Sequence, residues 1–275
     1  MEHFHLTPAL ADQYCKDGYL IIRGFLSPAE TEKLYSIAIA DSTIKKHAFD
    51  LNDQSGKKTK LSLWYKPGND TYGLLTRSKR MTEAVDRLME GDSKVCHFHS
   101  KLMQKEPKVG GAWEWHQDYG YWYKNEFLFP DRMMSVMIAI TEADKRNGCL
   151  QVIKGSHKMG RIEHGFAGEQ VGAAQHYVDL ALKTMEHVFV ELKPGDALFF
   201  HSNLLHRSEA NLSDNSRWSL ISVYNRAENF PYNEPSGSST VPIDVVPDEA
   251  MLEWETKELE NENNFLEKEK DEALK

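Results

Sequence analysis

A chain of 275 residues is long enough to bury a full core, and at this length a single all-β barrel or sandwich is ordinary, so nothing requires a second domain. The net charge of -9 leaves no basic block to meet phosphates, which excludes nucleic acid as an expected partner. That charge is concentrated: residues 248–275 hold 11 acidic and 4 basic residues, so this segment carries -7 of the -9 and the remaining chain is nearly neutral.

In chain order, residues 8–16 read as a short helix, with Pro8 in its first turn and Gly18 closing it. Residues 19–22, β-branched and aromatic, suit a strand. Ser27-Pro28-Ala29-Glu30 combines a cap, a proline at the first helical position and a glutamate three residues after the cap, so a helix is expected from 28 to about 40, with Leu34, Ile37 and Ala38 on its apolar face. Residues 41–59 are polar and irregular, residues 60–65 read as a strand ending at the Pro67-Gly68 turn, and Met81, Ala84, Val85 and Leu88 mark a helix around 80–90.

From Val95 onward short strands alternate with turns, at roughly 96–105, 114–119, 133–140, 150–153, 187–191, 197–201, 205–209 and 217–225. Asn147-Gly148 is a hairpin-type dipeptide, and Lys193-Pro194-Gly195-Asp196 places Pro and Gly at the centre of a type II turn. About eight such strands point to a mainly β chain with flanking helices, a cupin-like double-sheet jelly roll whose mouth is the natural ligand site. A helix over 173–186 interrupts them, and packs on the rim, forms a dimer contact or covers the mouth as a lid. Residues 231–241, rich in Pro, Gly and Ser, read as a loop. The tail from 248 onward reads as a charged terminal helix, solvated or frayed, because Leu252, Leu259 and Leu266 are too sparse to anchor it. The expected organisation is one domain over 1–275: helices and strands over 1–94, a β core over 95–230 and the loop and acidic tail over 231–275.

Cys15, Cys96 and Cys149 are odd in number and widely spaced, which fits free thiols in a reducing compartment rather than a disulfide framework or zinc knuckle. No apolar run approaches a membrane span, the N-terminal residues lack the pattern of a secretory leader, and the last three residues are not a peroxisomal address. A cytoplasmic protein with no membrane partner is expected. Nothing in the sequence speaks to oligomeric state.

The chemistry centres on Trp115-His116-Gln117-Asp118-Tyr119. If this stretch is extended, His116 and Asp118 project from one face while Gln117 turns away. One imidazole and one carboxylate cannot complete a metal site, and His206, 88 residues after Asp118 on a late strand, is the candidate third ligand. Two histidines and one carboxylate on one face of a metal form the facial triad of non-haem Fe(II) oxygenases. Ser208 shares the face of His206, and Arg217, 11 residues after His206, opens a strand with an alternating apolar remainder, so its guanidinium can point inward to clamp an acid. His201 is the weaker candidate, because 11 residues beyond it stands Leu212, which clamps nothing. His97 and His99, on one strand face, read as structural or pocket-lining, and His157, His164, His176 and His187 have no ligand spacing.

The set His116-Gln117-Asp118, the run from Asn147-Gly148-Cys149 to Gly155-Ser156-His157, and His206 with Ser208 and Arg217 resembles the phytanoyl-CoA dioxygenase family of Fe(II) and 2-oxoglutarate dependent oxygenases. Asp17-Gly18-Tyr19-Leu20 and Phe25-Leu26-Ser27 extend the resemblance over most of the chain; Lys154 departs from it, standing where the family usually has proline. The resemblance implies a double-stranded β-helix, Fe(II) on His116, Asp118 and His206, and 2-oxoglutarate chelating the iron with its far carboxylate on Arg217 and Ser208. By position it also implies Lys60, Lys101 and Gln117 as cosubstrate contacts. The implied reaction uses dioxygen to convert 2-oxoglutarate into succinate and carbon dioxide while hydroxylating a small organic metabolite, and the carboxylate of Asp118 favours hydroxylation over halogenation. Tyr119, Tyr121, Trp122 and Tyr123 follow the metal strand, and some of them are expected to wall the substrate site. No basic cluster marks a place for CoA phosphates. Two other readings remain at this stage: a non-catalytic barrel that binds a metal or small acid, and a zinc hydrolase.

Overall fold

Thr7 accepts the Leu10 amide, Pro8 fills the first turn and Gly18 takes the left-handed conformation (φ +80°) that ends α1 (Pro8–Asp17). The computed structural model describes residues 6–124, 127–167, 169–231, 239–255 and 264–266. After β1 (Tyr19–Ile22), the capping box at Ser27 forms in full: its amide donates to Glu30 Oε2 at 2.7 Å and its hydroxyl accepts from the Glu30 amide at 3.3 Å, starting α2 (Pro28–Ala40).

Glu30 also holds Arg80, and both side chains are buried. Burial pushes the Glu30 carboxyl upward, yet the hydrogen bonds from Arg80 and Ser27 outweigh it and hold it below its ordinary value of 4.5. Glu30→Gln would leave a buried guanidinium without a counter-charge, and a loss of about 3 kcal/mol is expected. Because the folded-state value is depressed, this stabilisation is complete above the ordinary value and fades as pH falls through the depressed one. Urea midpoints of wild type and variant should therefore converge in acid; a gap independent of pH would refute the assignment.

The stretch 41–59, expected to be irregular, is structured. Asp41 caps α3 (Ser42–His47) by accepting the Ile44 amide at 2.9 Å, and β2 (Phe49–Asn52) pairs with β3 (Lys58–Trp64). The turn between them is built by Asp53 Oδ1, which accepts from the amides of Ser55 and Lys57, with Gly56 at φ +80°. Phe49 and Leu51 are the only apolar residues of β2, too few to show a period in the sequence. Helices α4 (Thr71–Thr76) and α5 (Lys79–Leu88) follow.

The β core then runs through β4 (Val95–Lys105), β5 (Trp113–His116), β6 (Met133–Ala139), β7 (Leu150–Ile153), β8 (His164–Ala167), β9 (Gln170–Ala173), β10 (His187–Val190), β11 (Ala197–His201), β12 (His206–Ser208) and β13 (Arg217–Arg226). A short helix α6 (Asp118–Trp122) follows β5, α7 (Gln175–Thr184) stands between β9 and β10, and α8 (Ala250–Glu253) lies near the C-terminus. A seven-stranded sheet in the order β1-β11-β6-β13-β4-β3-β2 faces a four-stranded sheet in the order β10-β7-β12-β5. This is the expected jelly roll. The hairpin β8–β9 was not legible in the sequence.

Alternation along the strands sorts the core into two layers. Met134, Val136, Ile138, Phe199 and Leu220 turn outward against Leu34, Leu75 and Val85 of the helices. Met137, Leu198, Phe200 and Ile221 turn inward against Leu150 and Val152 of the small sheet. Gly195 has φ +88°, as the expected type II turn needs, whereas Asn147-Gly148 joins β6 and β7, which belong to different sheets, and so forms no hairpin.

The tail departs from the solvated helix expected of it. Residues 264–266 pair with the end of β3 beyond the reach of β2: Tyr65 N–H donates to Asn264 O at 3.0 Å and Leu266 N–H to Leu63 O at 2.8 Å. The anchor is Phe265, which stacks on His47 with ring centroids 4.0 Å apart and packs against Trp64. The rest of the tail beyond Glu255 and most of the expected loop at 231–241 lie outside the described residues. No helix among the described residues is long and apolar enough to cross a membrane.

Candidate metal centre and cosubstrate pocket

His206 on β12 lies directly opposite His116 on β5, so antiparallel pairing brings the two imidazoles to one face with ring centroids 4.1 Å apart. The extended chain does not continue to residue 119 as expected. It ends at His116; Gln117 is the extended N-cap residue of α6 and Asp118 the first residue of that helix. One extended residue is sufficient to swing Asp118 back toward His116. Asp118 Oδ1 sits 3.7 Å from His116 Nε2 and 3.8 Å from His206 Nε2, and all three potential ligand atoms lie within 4.8 Å of one another.

The surroundings of the three side chains prepare them as ligands. Nδ1 of His116 hydrogen-bonds Glu114 O at 2.7 Å and Nδ1 of His206 hydrogen-bonds Leu204 O at 2.9 Å. A carbonyl only accepts, so each Nδ1 carries the proton and each Nε2 presents a lone pair to the centre. Ser135 donates its hydroxyl to Asp118 Oδ2 at 2.6 Å, leaving Oδ1 facing the histidines. Burial, reinforced by the neighbouring His206, holds His116 well below the usual imidazole value; burial likewise lowers His206, against the pull of Asp118. Burial would raise Asp118, but Lys101, His206 and the Ser135 hydroxyl prevail and keep it low. Two neutral imidazoles and one carboxylate, all buried, fit a divalent ion of borderline softness such as ferrous iron.

Gln117 is occupied elsewhere. Its Nε2 donates to Gly160 O at 2.7 Å and Asn203 O at 2.8 Å, and its Oε1 accepts from the Ile162 amide at 2.7 Å, so it ties two loops together behind the centre. His164 Nε2 accepts the Gln117 amide at 3.0 Å, which gives that histidine a structural task as well.

A second pole of the same cavity is cationic. Arg217, Ser208, Lys101 and both histidines line it, together with Met103, Met137, Leu150, Phe200 and Ile221. The Arg217 guanidinium donates to Gly148 O, its Nε is buried with no partner among the described residues, and burial pushes it down to about 10. Behind Ser208 stands Lys105, which the sequence reading missed although its signal was present: Lys101, Met103 and Lys105 alternate along one strand face, which puts Lys105 on the inner side. It is fully buried and donates to Ser208 Oγ at 2.7 Å and Glu209 O at 2.6 Å.

In front of the triad opens a cavity walled by Leu51, Leu61, Leu63, Trp113, Tyr121 and Trp122, with Lys101 and His99 as polar members and Leu266 from the tail. Lys101 lines both cavities; Lys60 lines neither. Since Leu61 and Leu63 face the cavity, Lys60 points to the opposite side of β3, where it meets Glu106 at 3.2 Å. A bulge at Phe98 breaks the alternation of β4, so His99 reaches the cavity while His97 turns to Ser100 Oγ at 2.9 Å. His201 binds Asp131 at 2.9 Å, away from the triad.

The family model described as Phytanoyl-CoA dioxygenase (PhyH) matches residues 14–219. Among similar proteins, L-proline trans-4-hydroxylase of Streptomyces griseoviridis is 25% identical over 234 residues, covering 80% of this chain and 86% of the relative. The phytanoyl-CoA dioxygenase of Arabidopsis thaliana is 28% identical over 251 residues, covering 77% and 86%. Among solved structures, EctD from S. alaskensis with bound Fe superimposes with a TM-score of 0.69 at 19% identity over 88% of each chain, a likeness of fold. The matched region runs from α1 to β13 and contains the triad, Ser208 and Arg217; the chain belongs to the phytanoyl-CoA dioxygenase family and is a 2-oxoglutarate-dependent non-haem iron dioxygenase.

Proposed function

We propose that the enzyme hydroxylates a small organic metabolite that presents an apolar face to the front cavity. His116, Asp118 and His206 hold the ferrous ion. Arg217 and Ser208 receive the far carboxylate of 2-oxoglutarate, and Lys101, which lines both cavities and lies close enough to lower Asp118, faces the cosubstrate from the other side. Lys60 and Gln117 take no part in this scheme, since one faces away from the cavity and the other is committed to backbone groups. The observation that carries the reading is the pairing of three converging ligand atoms with a buried guanidinium whose Nε has no partner among the described residues, in one cavity. A zinc hydrolase has no use for that guanidinium.

With iron and 2-oxoglutarate bound, dioxygen is used to release succinate and carbon dioxide and to oxidise the substrate. The protein's own contribution is placement and shelter. Nδ1 contacts orient both imidazoles, Ser135 selects the Asp118 oxygen that faces the centre, and the walls of Leu61, Leu63, Trp113 and Trp122 keep water from the reacting face. Cys15, Cys96 and Cys149 are unpaired thiols, which supports a reducing, cytoplasmic location.

Anaerobic addition of Fe(II) and 2-oxoglutarate to the metal-free protein tests the reading. A weak visible charge-transfer band should appear, and Arg217→Ala should weaken the 2-oxoglutarate dependence of that band by about 100-fold through loss of a charge-assisted bidentate contact. A protein that binds zinc tightly and develops no band with iron would favour the hydrolase.

A further inference from the structure

The cationic pole of the cavity holds more positive charge than its own residues neutralise. Lys105 and Arg217 are both buried, and Lys105 hydrogen-bonds only a hydroxyl and a carbonyl, while Arg217 donates to a carbonyl. Among the described residues no carboxylate pairs with either. Glu209, next to Ser208, turns its carboxylate to Arg207 at 2.7 Å, and Asp53 spends its oxygens on the amides of Ser55, Lys57 and Ala112. Burial and then the Arg217 charge press Lys105 well below its ordinary value, an expense that an arriving anion would relieve.

The geometry also assigns a direction to one proton. A lysine ammonium has three donors and no acceptor, so once an arriving anion holds Lys105 in its charged form Ser208 Oγ accepts from it. The Ser208 hydroxyl hydrogen is then free to point elsewhere. Ser208 lines the cavity and Lys105 lies behind it, so the direction left open is toward the ligand.

We propose that Lys105 is a positioning residue for the cosubstrate: without touching it, its ammonium turns the Ser208 hydroxyl into a donor aimed at the far carboxylate and, with Arg217, makes the pocket select a 2-oxo dicarboxylate over a 2-oxo monocarboxylate. The proposal rests on the assignment of this cavity to 2-oxoglutarate. Lys105 thereby supplies a charge-assisted chain, Lys105 to Ser208 to carboxylate, beside the direct guanidinium contact.

The test is binding rather than turnover. Fe(II)-loaded protein is titrated anaerobically with 2-oxoglutarate and, separately, with 2-oxopentanoate, which has the same chain length and chelating end but lacks the far carboxylate. Lys105→Met, close in volume and without charge, should weaken 2-oxoglutarate by about 30-fold and 2-oxopentanoate by less than about 2-fold, so that the preference collapses. Ser208→Ala should show a similar loss, and adding Lys105→Met to it should cost less than about 3-fold more, because both substitutions interrupt one chain. Should Lys105→Met not fold, Ser208→Ala and Ser208→Cys carry the test, and an unchanged preference in both overturns the proposal. Equal weakening of the two acids by Lys105→Met, or additive losses in the double variant, also overturns it. If the wild-type protein forms no chelate band with either acid, the assignment of the cavity itself has failed.

Discussion

His206→Ala is expected to lower succinate formation by more than about 1000-fold, because the triad loses one of its two imidazoles. Among the described residues His164 accepts the Gln117 amide, His201 binds Asp131 and His97 binds Ser100, while His99 lines the front cavity rather than the one that holds His206. The fold should survive, since His206 is held by one carbonyl contact and its removal relieves the cost of burying an imidazole beside His116. The distinguishing measurement is thermal unfolding with and without Fe(II) or Co(II). Wild type should be stabilised by the metal, as any ligand specific to the native state stabilises it, and the variant should not respond. A variant that kept stoichiometric iron and produced succinate would remove His206 from the centre.

Gly148→Ala is expected to injure both stability and cosubstrate binding although the residue touches neither metal nor substrate. Gly148 has φ +73°, and a Cβ built there would lie 2.1 Å from Glu209 O and 2.9 Å from Glu209 C. Those are backbone atoms, so the turn itself has to move. The left-handed conformation costs roughly 1 kcal/mol for alanine, and the backbone displacement should raise the total to about 3 kcal/mol. The displaced groups are the ones that hold the cations: Gly148 O accepts from Arg217 and Glu209 O from Lys105. KM for 2-oxoglutarate should therefore rise by about 10-fold or more with a smaller change in kcat, the pattern of lost uniform binding. Gly165→Ala serves as the control, because nothing lies within 4 Å of a Cβ there and its backbone is not left-handed. Similar losses in both variants would show that the Gly148 effect is not specific to the cation pole.

How much of this was legible without coordinates depends on whether the relevant physics is local. The capping box at Ser27, the αL closure at Gly18 and the turn at Gly195 rest on contacts within a few residues, and each formed as its chemistry requires. Most strands of the β core were readable because they alternate or run apolar over four or more residues, β8 and β9 excepted, and the triad was readable as a pattern of side chains capable of holding a metal. Residues 41–59 were misread because two apolar residues in β2 make no period, and the tail because one aromatic, Phe265, anchors it rather than a repeat of leucines.

The sequence by itself determined the strand period, the turn chemistry and the identity of the two histidines, the aspartate and the arginine. Tertiary structure alone decided that His206 stands opposite His116, that Asp118 reaches the centre from the first residue of a helix, that Lys60 faces away from the cavity, and that Lys105 is buried behind Ser208. Those facts depend on which strands become neighbours and in what register, and register is set by the packing of inward faces contributed from residues far apart in the chain. A single strand specifies that alternate side chains share a face; only the second sheet determines what that face meets.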